Sequence, residues 1–167
     1  MRLCLFKFKV QNQTSPPMHM NKLMEPHWQA VGDWKSLKLP AQAEEILNVQ
    51  IADVNEEEDC HVCLLDLGIE SDFLRYALRL VARLFEKYSE SKRFAPLVAF
   101  ISLDDGSELD DFEATEENPW FDCAIHFHIE DADGAVFMNP ATIERCTQPV
   151  LIVNSDDPMF SKNLARD

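Results

Sequence analysis

Between His61 and Leu103 the hydrophobic pattern changes period twice. His61-Val-Cys-Leu-Leu-Asp-Leu67 is a short apolar run, Gly68-Ile69 interrupts it, and Ser71 or Asp72 then stands where a helix N-cap belongs. From Phe73 to Tyr88 apolar residues recur at helical spacing. Phe73, Ala77, Leu80, Leu84 and Tyr88 form the stripe, and Leu74, Leu78, Val81 and Phe85 widen it. A face that broad predicts burial against a sheet. The other face carries Arg75, Arg79, Arg83 and Lys87, each four residues from the last, and Ser89–Lys92 ends the periodicity. Pro96–Leu103 is again apolar and of buried-strand length. Strand, dominant helix (about 72–89) and strand, joined closely, predict a βαβ unit with a right-handed crossover between parallel strands.

The flanking patterns are weaker. Phe6-Lys-Phe-Lys-Val10 alternates like an edge strand, and Gln11–Pro17 is polar and ends in Pro-Pro, as linkers do. His27–Val31 and Trp34–Leu39 flank Gly32-Asp33, which predicts a hairpin with a two-residue turn. Pro40 opens a short helical stretch, Ala41–Leu47, and Val49–Asp53 alternates like a short strand. Downstream, Trp120–Glu130 predicts a strand, Asp131–Gly134 a turn into Ala135–Met138, Asn139–Arg145 a short helix and Pro149–Val153 a last strand. The sum is an α/β or α+β fold: one mixed sheet of about six strands with the long helix on it. Residues 1–24 read as a dispensable basic extension or edge strand, 25–153 as one globular domain and 154–167 as a polar tail.

Composition narrows the function classes. At 167 residues, 46% of them hydrophobic, the chain is long enough to bury one core. No apolar run approaches the roughly 20 residues of a membrane helix. The first ten residues are no secretory signal, because Lys7 and Lys9 break the apolar stretch. Five cysteines, an odd number, imply reduced thiols and a cytoplasmic location. The charge of −15, from 30 acids and 15 bases, repels phosphates and so argues against direct nucleic-acid binding; it favours a basic protein partner. With four glycines in all, there is neither a phosphate loop nor a dinucleotide fingerprint, and no serine sits in a nucleophile elbow.

Four constellations remain. Residues 104–119 hold eight acids and no base: Asp104, Asp105, Glu108, Asp110, Asp111, Glu113, Glu116 and Glu117, with Leu109 and Phe112 as apolar anchors. A loop that long inside a compact domain predicts function, and this one suits docking on a basic surface. Arg75, Arg79, Arg83 and Lys87 would form a second, basic face, since four like charges at this spacing repel one another unless something compensates them. His126 and His128, with Glu130, lie on the polar face of their strand, where they suit a metal or acid–base chemistry; an ordinary half-exposed strand face carries such residues too. Cys60 and Cys63 have the spacing of a zinc-gripping pair, but no second pair matches it. The expectation is therefore a non-catalytic interaction protein without a cofactor, of the immunity, inhibitor or adaptor type, binding and regulating a basic protein. The alternative is a small metal-dependent enzyme centred on His126 and His128.

Overall fold

The computed structural model describes residues 18–56, 60–91, 95–107, 115–116, 119–129 and 140–161. Along the chain the elements are β1 (Met18–Met20), α1 (Glu25–Ala30), α2 (Ala43–Glu56), β2 (Cys60–Cys63), a 3-10 turn (Leu65–Leu67) and α3 (Phe73–Glu90). After these come β3 (Leu97–Asp104), β4 (Asp122–Ile129), α4 (Pro140–Ile143), β5 (Val150–Asn154) and α5 (Pro158–Ser161). The strands form one sheet in the order β1-β5-β3-β4-β2, every neighbouring pair antiparallel.

The fold is thus α+β, with five strands among the described residues, and the sheet is not mixed. Strand, helix and strand do follow one another as β2, α3 and β3. Both strands are antiparallel to β4, which lies between them, so β2 and β3 point the same way but do not pair, and the expected βαβ unit is not made by neighbouring strands. The reason is local. On leaving β3 the chain returns as its antiparallel partner, matched over eight residues from Leu97↔Ile129 to Asp104↔Asp122, and takes the place beside it.

The apolar stripe of α3 is buried as its spacing requires: Phe73, Ala77, Leu80, Leu84 and Tyr88, and with them Leu74, Leu78, Val81 and Phe85. It packs with the inward side chains of β3 and β4, Leu97, Ala99, Ile101, Leu103, Cys123, Ile125 and Phe127. Both strands alternate buried with half-buried, so one face is core. On the other face Ile143 of the α4 turn covers Val150 and Ile152. Strand β5 is therefore buried on both sides.

Two local expectations fail. Residues 25–30, with Pro26 in the first turn, wind into α1, and 31–42 hold no strand, so there is no hairpin over 27–39. Asp33 instead accepts from the Lys35 N–H and the Ser36 hydroxyl, a local Asp turn. The short helix and the strand expected over 41–53 are one helix, α2. Its buried stripe is Ala43, Leu47, Gln50 and Val54, and the glutamine interrupts the apolar period. Gln50 Oε1 is buried with no hydrogen-bond partner among the described residues. Replacing Gln50 with Met is expected to raise stability by about 1 kcal/mol, since it removes a desolvated acceptor at similar volume. A denaturant titration that shows a loss instead would mean the amide has a use the packing does not reveal.

The described parts of the two terminal segments pack against the domain. Strand β1 pairs with β5 through His19↔Ile152, and Met24 is fully buried. Phe160 of α5 sits between Trp34 at 5.6 Å and Phe85 at 5.2 Å. The edge strand expected at Phe6–Val10 and the strand at Ala135–Met138 lie outside the described residues. No helix of the described residues is long and apolar enough to cross a membrane.

Candidate functional site

Strand β3 leaves the sheet at Asp104 and β4 enters it at Asp122, directly opposite. Like charges in that position repel. Hydrogen bonds to both carboxylates offset the repulsion. Asp104 Oδ1 accepts from the Gly106 N–H at 2.9 Å and from Gln148 Nε2 at 3.4 Å. Asp122 Oδ1 accepts from the N–H groups of Leu65 at 3.2 Å and Cys123 at 2.6 Å. The Phe121 N–H donates to Asp104 O at 2.7 Å, which closes the base of the acidic loop. Just inside, Asp105 accepts from the Ser107 N–H, and the bonds from Ser107 hold its carboxyl below the usual range.

The segment that follows β2 emerges at the same end, because the Leu64 N–H donates to Cys123 O at the start of β4. It adds Asp66, Glu70 and Asp72. Residues 64–72 and 104–122 together hold three plus nine carboxylates and no lysine or arginine. Seven of them are described, Asp66, Glu70, Asp72, Asp104, Asp105, Glu116 and Asp122, and Arg75 pairs with Asp72. Asp105 and Glu116 are exposed; Glu108, Asp110, Asp111, Phe112, Glu113 and Glu117 lie outside the described residues.

A cleft of about 190 Å³ opens at this end, between α1, the first turn of α3 and Trp120. The His27 ring meets Trp120 edge-on at 4.9 Å, and burial lowers the His27 pKa. Asp72 precedes α3 with a left-handed backbone, φ 54°, and its carboxylate takes Arg75 Nη1 at 3.2 Å rather than capping the helix. Nothing in the sequence pairs His27 with Trp120, and sequence reasoning missed the cleft.

The basic ridge of α3 turns inward on the chain itself. Arg75 donates from Nε and Nη2 to Asp33 O, and Arg79 Nε donates to Leu37 O. Arg83 pairs with Glu44 and Glu86, each at 2.9 Å. Lys87 reaches Glu44 at 2.9 Å and Asn48 at 3.0 Å. Lys87 and Arg83 together hold the Glu44 carboxyl below its usual range. The partner of the ridge is therefore the 33–48 segment, which it straps to α3.

On the outer sheet face, His126 is half-buried opposite exposed His61 of β2. Their rings stack at 5.7 Å, and Phe100 stands 6.3 Å from His126 on the other side. His128 lies two residues along, opposite Val98, and Glu130 lies outside the described residues. Sequence reasoning missed His61, because its place depends on a strand pairing some 65 positions away. Cys60 and Cys63 do not face one another. Burial along β2 alternates, with Cys60 and Val62 inside and His61 and Cys63 on the other face. The sheet thus separates the two thiols. Burial, with Asp122 and Asp66 nearby, pushes the Cys63 thiol pKa up, the opposite of a reactive thiolate. Among the described residues no three His, Cys, Asp or Glu side chains converge to hold a metal.

Comparison with family models, curated proteins and solved structures returns no match.

Proposed function

We propose that this protein is a non-catalytic interaction protein whose acidic end binds and regulates a basic protein. One observation carries this reading: two separate connections, 64–72 and 104–122, start at the same end of the sheet, and their described residues include Asp66, Glu70, Asp72, Asp104, Asp105, Glu116 and Asp122. A surface of one sign speeds encounter with an oppositely charged partner and selects against others. The ridge of α3 is used in holding 33–48, which leaves the acidic end as the stronger charged surface for a partner.

The test uses a fluorescent deca-arginine peptide as the basic probe. Neutralising the loop acids, Asp105→Asn and Glu116→Gln with the five carboxylates between 108 and 117, is expected to weaken binding about tenfold and flatten its salt dependence. Neutralising seven acids elsewhere, Glu25, Glu45, Asp53, Glu90, Glu144, Asp156 and Asp167, is the control and is expected to change it less than about twofold. Equal weakening by both sets would mean that net charge alone attracts the probe. The same preparation, purified without a histidine tag, is expected to hold well under one transition metal per chain. A stoichiometric metal, lost on His126→Ala, would favour the rival reading of a metal-dependent enzyme on the histidine strand.

A further inference from the structure

We propose that the cleft between α1 and the start of α3 is the anchor point of this docking surface and receives one arginine side chain from the basic partner. The inference rests on the reading above and adds the residue type that is recognised. Size comes first. The cleft holds about 190 Å³, against the roughly 300–1,000 Å³ of small-molecule sites, so it suits a single side chain rather than a substrate or cofactor.

Its chemistry is divided as an arginine requires. Val31, Phe73, Leu103 and Pro119 offer apolar wall to the methylene stem. Trp120 offers an aromatic ring to the planar guanidinium. Asp72 stands in the lining with its side chain 58% exposed. It already accepts one guanidinium, that of Arg75, at 3.2 Å through Oδ2. Arg75 also lines the cleft, where two further bonds, of 3.1 and 2.8 Å, hold its guanidinium on Asp33 O. His27 adds no opposing charge near neutral pH, because burial favours its uncharged form. Of the described carboxylates, Asp66, Glu70, Asp104, Asp105 and Asp122 belong to the connections that start at this end of the sheet, and an arginine anchored in a pocket beside complementary charge is a common binding hot spot.

The experiment is an NMR titration of the full ¹⁵N-labelled chain with N-acetyl-arginine amide, and with N-acetyl-citrulline amide as the uncharged isostere. Saturable shifts are expected at the Trp120 indole N–H and the amides of residues 72–75, with citrulline binding about tenfold more weakly. Trp120→Ala and Asp72→Asn should each weaken binding about fivefold or more while leaving amides far from the cleft in place. Asparagine tolerates the left-handed backbone at 72, so the second variant keeps the fold if the first does not. Citrulline binding as well as arginine would overturn the proposal. So would non-saturating shifts spread over the acidic loop with none at Trp120; the docking reading would survive that result if deca-arginine still bound. Loss of binding to both arginine and deca-arginine would overturn both.

Discussion

Asn21→Ala is expected to cost about 2–4 kcal/mol, a large share of the stability of a domain this size. The side chain is 2% exposed, and all its hydrogen-bonding capacity is used. Oδ1 accepts from the N–H groups of Met24 and Val150, both at 3.1 Å. Nδ2 donates to Gln148 O at 2.8 Å and Ile143 O at 3.4 Å. Truncation leaves the Val150 N–H and the Gln148 carbonyl without those partners, and each buried orphan costs about 1–3 kcal/mol. Met24 and Ile143 suffer less, since the Met24 N–H also donates to Asn21 O and Ile143 O also accepts from the Cys146 N–H. Asn21→Asp should be worse near neutral pH, because it turns a carboxylate toward two carbonyl oxygens. Such a carboxyl has its folded pKa raised above the unfolded value. The variant is therefore most stable below the unfolded pKa and loses stability as pH rises through the carboxylate range. Denaturant titrations of both variants at acid and neutral pH check this. A cost below about 0.5 kcal/mol for Asn21→Ala would mean that the β1 segment is not part of the cooperative fold.

Leu80→Ala is expected to cost about 2–5 kcal/mol through lost burial and a residual cavity. Leu80 is fully buried in the middle of the α3 stripe. Its neighbour Arg79 is the internal control. It stands on the other face, half-buried, with one hydrogen bond to Leu37 O at 3.1 Å. Arg79→Ala should therefore cost about 1 kcal/mol, more than a free surface arginine and well below the leucine. Equal midpoint shifts for the two variants would show that the face assignment is wrong.

What the sequence made legible was whatever local periodicity decides. The face of α3 could be read because eighteen residues give five turns of pattern, and β3, β4 and β5 because each is an apolar or alternating run between breakers. Helix α1 was hidden by its length: six residues, none buried, show no period. Helix α2 was hidden by Val49 and Ile51, which are β-branched and alternate with polar residues, and by Gln50 in its buried stripe. Strand order was not legible, because β4 takes the place beside β3 through a pairing that no run of residues displays. The candidate site divides in the same way. The acidic loop was legible as composition. The partner of the ridge was not, since Glu44, Asn48 and two loop carbonyls reach it only when 33–48 crosses α3.

The pairing of β1 with β5 has a consequence for the order of events in folding. Asn21 and Val150, which bond both ways across this edge, are 129 positions apart. The α3 turns and the β3–β4 hairpin need far shorter closures, so they can form while the chain is still open. The edge strand is expected to dock late, after the surface that receives it exists. Interactions made after the transition state slow unfolding without hastening folding. The Asn21 clasp is therefore expected to act as a kinetic lock: Asn21→Ala should speed unfolding and leave the folding rate nearly unchanged.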